Sequence, residues 1–196
     1  MKKLLVCILF VLLGTQMSAQ EIDKGYEAYN DGDYATALKE WKPLAEQGYA
    51  FAQYNLGILY EYGNGVPKDY AEAVKWYRLS AEQGYAISQY SLGLMYSNGY
   101  GVLKDKAEAV KWWRLSAEQG YVYAQGMLGI MYELGEGVLK DNIIAHMWYN
   151  IASGNGHKSA GDWRDGRASF MSASDIKKAT DMANKCMESD YKKCGY

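Results

Sequence analysis

Apolar positions recur at helical spacing along most of this chain, and one pattern of them is written three times. In the first copy Ala52, Leu56 and Tyr60 fall four residues apart, the spacing of one helix face. A glycine-rich turn follows, Gly63-Asn64-Gly65, and then a second stripe that holds Ala73 and Trp76. The run Ala45-Glu46-Gln47-Gly48-Tyr49 recurs at Ala81 and Ala117, a period of 36 residues (81 − 45 and 117 − 81). A fixed period of this length predicts a stacked array of helix–turn–helix units, each hiding its apolar face against its neighbours. The units are expected over 45–80, 81–116 and 117–152. A partial N-terminal unit over 20–44 and a divergent C-terminal unit over 153–196 would cap them.

Local signals sharpen each unit. Gly57, Gly93 and Gly129 interrupt the leading helices at one phase. A glycine inside a helix costs roughly 0.5–1 kcal/mol relative to alanine, so its recurrence predicts a close approach, most simply by another helix backbone. The loop pairs Gly63/Gly65, Gly99/Gly101 and Gly135/Gly137 predict left-handed turning. They have no preceding strand, no third glycine and no following Gly-Lys-Ser/Thr, so they do not read as phosphate loops. Val66, Val102 and Val138 should tuck each loop into the core. Asp69, Asp105 and Asp141 are expected N-caps, with Glu72 and Glu108 completing capping boxes that Ile144 forgoes in the third copy. Trp76, Trp112 and Trp148 join Ala73, Ala109 and Ala145 on the packed stripes, and Gly84 and Gly120 end the first two trailing helices.

The flanks read as caps. Tyr34, Ala37, Leu38 and Trp41 form a stripe in which Pro43 should kink or break the helix. Residues 158–170 form a polar leading helix, and Ile176, Ala179, Met182, Ala183 and Cys186 form a buried stripe behind an N-cap at Ser172.

Together these residues resemble the Sel1-like repeats, relatives of the tetratricopeptide repeats. The resemblance rests on Leu56-Gly57, Tyr60, Gly63, Gly65-Val66, Asp69, Ala73 and Trp76, and on their counterparts 36 and 72 residues on. It implies an all-α fold, a right-handed α/α superhelix or solenoid, whose concave face of leading helices is similar to surfaces that scaffold other proteins.

Composition narrows the compartment and partner. Lys plus Arg 21 against Asp plus Glu 23 leaves no basic stripe for nucleic acid. Lys2 and Lys3, the apolar run Leu4 to Gly14 and the small residues Ser18-Ala19 read as a secretory signal over 1–19. Eleven helical residues would reach about 16 Å, short of the ~30 Å hydrocarbon core, so no permanent membrane anchor is expected and the chain reads as exported, periplasmic or secreted. Cleavage removes Cys7 and leaves Cys186 and Cys194, an even count that suits a disulfide in an oxidising compartment. Eight residues of straight helix would hold them about 12 Å apart, so a helix end is expected near Ser189-Asp190-Tyr191. Metal or redox chemistry is the alternative for this pair, but it favours CxxC spacing or added ligands, and the sequence has neither. The Cys186–Cys194 spacing also resembles the disulfides of cysteine-rich Sel1 relatives.

No catalytic constellation stands out. His146 and His157 lack neighbours at metal-ligand spacing, and the repeated carboxylates copy with the fold. Neither a cofactor nor a metal is expected, and the chain does not read as an enzyme. The expected function is a protein or peptide interaction module. Its candidate binding residues are the leading-helix positions that differ between copies: Tyr54, Asn55 and Tyr62, then Tyr90, Ser91 and Asn98, then Gly126, Met127 and Leu134. An alternative implied by the resemblance is a secreted penicillin-binding or weakly β-lactam-hydrolysing protein, as some cysteine-rich relatives are.

Overall fold

The computed structural model describes residues 24–194, and the leader expected over 1–19 lies outside them. Among the described residues every regular element is a helix. They are α1 over residues 24–30, α2 Tyr34–Glu46, α3 Ala50–Tyr62, α4 Tyr70–Glu82, α5 Ala86–Asn98, α6 Lys106–Ala117, α7 Val122–Leu134, α8 Asn142–Gly154, α9 Ala160–Ala168 and α10 Ala173–Glu188. The described residues divide into two compact units, 24–83 and 84–194.

In the first unit Ala37, Trp41, Leu44, Leu56 and Leu59 form the core, with Tyr60, Val66 and Trp76 partly buried against it. The helix α2 does not break at Pro43. It runs on to Glu46, and the Pro43 carbonyl accepts the Gln47 N–H at 3.1 Å. Proline so near the C-terminal end forfeits one hydrogen bond while the three residues after it stay helical. In the second unit α5–α6 and α7–α8 pair, and α9 and α10 pack on α8. The buried residues there include Ala109, Trp113, Leu128, Trp148 and Tyr149. Of the expected α10 stripe, Ala179, Ala183 and Cys186 are buried, whereas Ile176 and Met182 are half-buried.

The trailing-helix stripe is one residue out of phase with the expected one. Tyr77 and Trp113, not Trp76 and Trp112, lie buried below Ala73 and Ala109. These rings stand four residues beyond the alanine, directly one turn on, while the preceding tryptophans flank the stripe. Trp148 is buried along with Tyr149 because α10 covers that side of α8.

The same rings explain the recurrent glycines. A Cβ at Gly57 would stand 2.5 Å from the Tyr77 ring. At Gly93 and Gly129 it would fall against Trp113 and Tyr149, and at Gly25 against Trp41. What approaches each glycine is therefore an aromatic face and not a helix backbone. The pair Gly25–Trp41 repeats this glycine–ring contact between α1 and α2. The polar tips of three of these rings are matched as well, whereas the buried Trp41 Nε1 has no hydrogen-bond partner among the described residues. Tyr77 and Tyr149 donate to Glu61 (2.5 Å) and Glu133 (2.6 Å), one turn past the glycine. Where Ser97 replaces that glutamate, Trp113 stands in the ring position and its Nε1 donates to the Tyr90 carbonyl at 3.1 Å.

The expected aspartates do cap α4, α6 and α8, accepting backbone N–H groups at 2.8–3.1 Å. The capping box is only half made. The N–H of each cap donates to a leading-helix carbonyl, Tyr60, Tyr96 or Tyr132, at 2.9 Å. Glu72 and Glu108 are thereby left to pair with Lys75 and Lys111. This is why Ile144 is tolerated in the third copy.

Candidate functional site

Glutamines fix the spacing between units. Gln83 donates to Gln53 Oε1 at 2.7 Å, and Gln53 Nε2 donates to the Ala45 carbonyl at 3.1 Å. Gln119 and Gln89 repeat the first bond at 2.7 Å, while Asn155 takes the donor's place against Gln125 at 2.9 Å. Ser80 and Ser116 add hydroxyl bonds to the Ala50 and Ala86 carbonyls, both 2.7 Å. Such buried, satisfied amides hold the first turns of the leading helices in register, and with them whatever those helices display.

The two units display different surfaces. In the first, Tyr54 is half-buried with its ring 5.8 Å from that of Tyr77. Tyr62 is 64% exposed at the end of α3. Asn55 is buried, and its amide donates to the Phe51 carbonyl at 3.0 Å, so it offers no surface. In the second unit Asn98 is exposed with its amide on the Leu94 carbonyl, Ser91 is half-buried, and Tyr90 belongs to a run of rings.

That run crosses three leading elements. Tyr90 on α5 lies 5.3 Å from Tyr121 and 6.2 Å from Tyr123, which are 5.6 Å from each other. Tyr123 lies 5.6 Å from His157, and His157 lies 4.9 Å from Trp163 on α9. Trp163 in turn rests 5.7 Å from Tyr149. Gly126 makes this possible: a Cβ there would already stand 3.2 Å from His157 and 3.4 Å from Trp163. Tyr54 and Tyr90 occupy that position in the other copies, so the α9 tryptophan fills space that the repeat's own tyrosine vacates.

Beside Trp163 a cleft of about 560 Å³ opens between α7 and α9. Ile130, Leu134 and Phe170 supply apolar walls, and the last two are 57% and 78% exposed. The Glu133 carboxylate joins its floor, accepting from Tyr149 and paired through its other oxygen with Arg167. Asp162 on the rim is exposed and has no ion-pair partner among the described residues. Leu134 and Gly126 carried a sequence signal, since both differ from their counterparts. Trp163, Arg167 and Phe170 did not, because α9 breaks the period. A tryptophan in an otherwise polar helix, coinciding with the missing tyrosine, was the available clue.

Three consecutive segments, 50–85, 86–121 and 122–157, match the Sel1 repeat, together more than half of the chain. The chain belongs to the Sel1 repeat family. Its helix-pair solenoid is an architecture typical of protein–protein interaction modules. It is similar to the structure of a protective antigen present in uropathogenic Escherichia coli strains, with 42% identity and a TM-score of 0.70 over 73% of this chain and 32% of that one. A Sel1 repeat protein from Oxalobacter formigenes is 36% identical, with a TM-score of 0.69 over 71% of this chain and 58% of that one. Cysteine rich protein B of Helicobacter pylori, at 20% identity and a TM-score of 0.54, shares the fold. Among curated proteins, the DAP3-binding cell death enhancer 1 of Rattus norvegicus and of Mus musculus is 41% identical over 44 residues, 22% of this chain and 9% of that protein.

The structure joins Cys186 to Cys194, with Cα atoms 4.2 Å apart. The chain leaves α10 at Ser189 and turns through Asp190 and Tyr191, both at positive φ. Tyr191 then receives the Asn155 amide at 2.8 Å. No group of three or more His, Cys, Asp and Glu is placed to hold a metal among the described residues, and no helix there is long and apolar enough to cross a membrane.

Proposed function

We propose that this Sel1 repeat protein is exported and receives a protein or peptide along its leading helices. The observation that carries the reading is the run of rings from Tyr90 to Trp163 that ends in the α7–α9 cleft. Solvent-facing aromatic and aliphatic side chains held by a rigid repeat scaffold suit a partner chain better than a small substrate. Export is supported by the signal-like composition of Met1–Gln20 and by the Cys186–Cys194 pair, since disulfides persist in oxidising compartments.

The test is photo-crosslinking in the native host. A crosslinking residue is placed at Tyr123 or Leu134, and as a control at Lys177, which is exposed on α10. Partner adducts from 123 and 134 that are missing from 177 are the expected outcome. Adducts of equal strength from all three, or from 177 alone, refute the assignment of this face. Fractionation of the same cells tests export: a chain retained in the cytoplasm with its first 19 residues intact refutes that part.

A further inference from the structure

The hydroxyls along the ring run are unusually idle. Tyr90, Tyr121 and Tyr123 make ring contacts with one another, yet none of their hydroxyls is hydrogen-bonded to protein among the described residues. Burial, together with the neighbouring tyrosines, raises the pKa of Tyr90 and of Tyr121, so both remain protonated donors at neutral pH. The surface therefore combines flat apolar faces with a row of unused O–H donors. Its last step leads past Trp163 to Asp162, a carboxylate without a cationic partner.

A polyproline II segment has the complementary set of properties. It presents ring faces, keeps every backbone carbonyl free for an outside donor, and has little conformational freedom to lose on binding. Its rise of about 3.1 Å per residue makes two residues span about 6.2 Å, which matches the 6.2 Å from Tyr90 to Tyr123, while the steps on to His157 and to Trp163 are shorter, at 5.6 and 4.9 Å. Aromatic-lined grooves elsewhere read such segments by the same contacts. Helical ligands fit less well, because their carbonyls are already committed to internal hydrogen bonds.

We propose that the groove from Tyr90 to Trp163 binds a proline-rich peptide in the polyproline II conformation, with a lysine or arginine of the peptide set against Asp162. This rests on the reading of the leading-helix face as the interaction surface. The rings take the proline faces, the tyrosine hydroxyls donate to the peptide carbonyls, and Leu134 and Phe170 accept one apolar side chain beyond Trp163.

Calorimetric titration of the purified protein tests it with three synthetic probes: decaproline, decaproline ending in lysine, and a Gly-Ser decapeptide ending in lysine. The lysine-tipped decaproline should bind saturably and at least ten-fold tighter than the Gly-Ser probe. Tyr123→Ala, at a half-exposed ring, should weaken both proline probes at least five-fold with the circular dichroism unchanged. Asp162→Asn should erase only the advantage that the lysine confers. Equal binding of the proline and Gly-Ser probes, or proline binding indifferent to Tyr123→Ala, overturns the proposal. So does a chitohexaose that binds this groove where decaproline does not. If crosslinks from Tyr123 are found in the host while decaproline fails to bind, the interaction surface stands and only the proline chemistry falls.

Discussion

Replacing Gly57 by alanine puts the fit between glycine and ring to a direct test. On helix propensity alone the change should stabilise α3 by roughly 0.5–1 kcal/mol. The packing opposes it. The new methyl would stand 2.5, 2.6 and 3.2 Å from three ring atoms of Tyr77, where ordinary contact begins near 3.5 Å. The ring must retreat by about 1 Å, but it is 1% exposed and its hydroxyl is held by Glu61 at 2.5 Å. Overpacking of this kind costs about 1–3 kcal/mol, and losing a hydrogen bond to a carboxylate costs roughly 1.5–3 more. The net loss should be about 2–5 kcal/mol, a fall in Tm of at least about 4 °C for a chain of this size. Urea and thermal melts followed by circular dichroism would read it. Two controls fix the cause. In a Tyr77→Ala background the same substitution should be neutral or mildly stabilising, because nothing remains to collide with. Gly166→Ala in α9, where a Cβ meets nothing within 4 Å, should stabilise. Gly57→Ala at or above wild-type stability, or an equal loss in the Tyr77→Ala background, would refute the reasoning.

Further outcomes follow from the same contacts. His146 is buried, and that burial, with the Arg164 charge beside it and only Asp165 opposing, lowers its pKa below the usual histidine value of 6.5. The unfolded chain then binds the proton more readily, so stability should be full above about pH 6.5 and decline as the pH falls through 6.5 and below. Urea midpoints between pH 7.5 and pH 5 would measure this, and His146→Val, the residue at Val74 and Val110, should flatten the profile. Reducing Cys186–Cys194, or replacing both with serine, should cost about 2.5 kcal/mol for so short a loop and loosen the Tyr191 contact with Asn155, seen as faster amide exchange near 186–194. Gln125→Leu removes a fully buried amide that donates to Ala117 and accepts from Asn155, so a loss of about 2 kcal/mol in a urea melt is expected, with no loss from the exposed Glu188→Gln.

What the sequence made legible was local. The period, the N-caps at Asp69, Asp105 and Asp141, the left-handed loop glycines and the helix end before Cys194 each depend on a few adjacent residues. What it hid joins residues far apart. Gly57 and Tyr77 are twenty residues from each other, so the glycine's purpose could be guessed only as closeness to something. The choice of Tyr77 over Trp76 as the buried ring turns on one residue of helical phase, and the two aromatics are adjacent. Glu72 looked like half of a capping box because the competing acceptor, the Tyr60 carbonyl, lies on another helix. Asn55 was chosen because it varies, yet variation carries no information about burial. Tyr54, Tyr62, Tyr90 and Asn98 do stand on the leading helices, whereas the cleft drew its rim from α9, outside the period.

The comparison of the three copies separates residues that maintain the array from residues that give it a use. Tyr77 with Glu61, Tyr149 with Glu133, and Trp113 with the Tyr90 carbonyl are exchangeable ways of partnering the polar tip of a buried ring. Exchanging one for another leaves the unit intact, so those positions need carry no specificity. The third copy departs differently. Gly126 vacates a ring site, Trp163 enters it from α9, and the second oxygen of Glu133 takes Arg167 from the same helix. Each departure brings α9 toward α7 at a fixed distance, and the space left beside them is the cleft. Restoring the repeat with Gly126→Tyr should therefore leave the α7–α8 pair folded while displacing Trp163. A red shift or quenching difference in Trp163 fluorescence, read against a Trp163→Phe control, would register it, together with loss of crosslinks from Leu134. Crosslinking unchanged in Gly126→Tyr would mean that the cleft owes its use to the repeat itself and not to its departure from it.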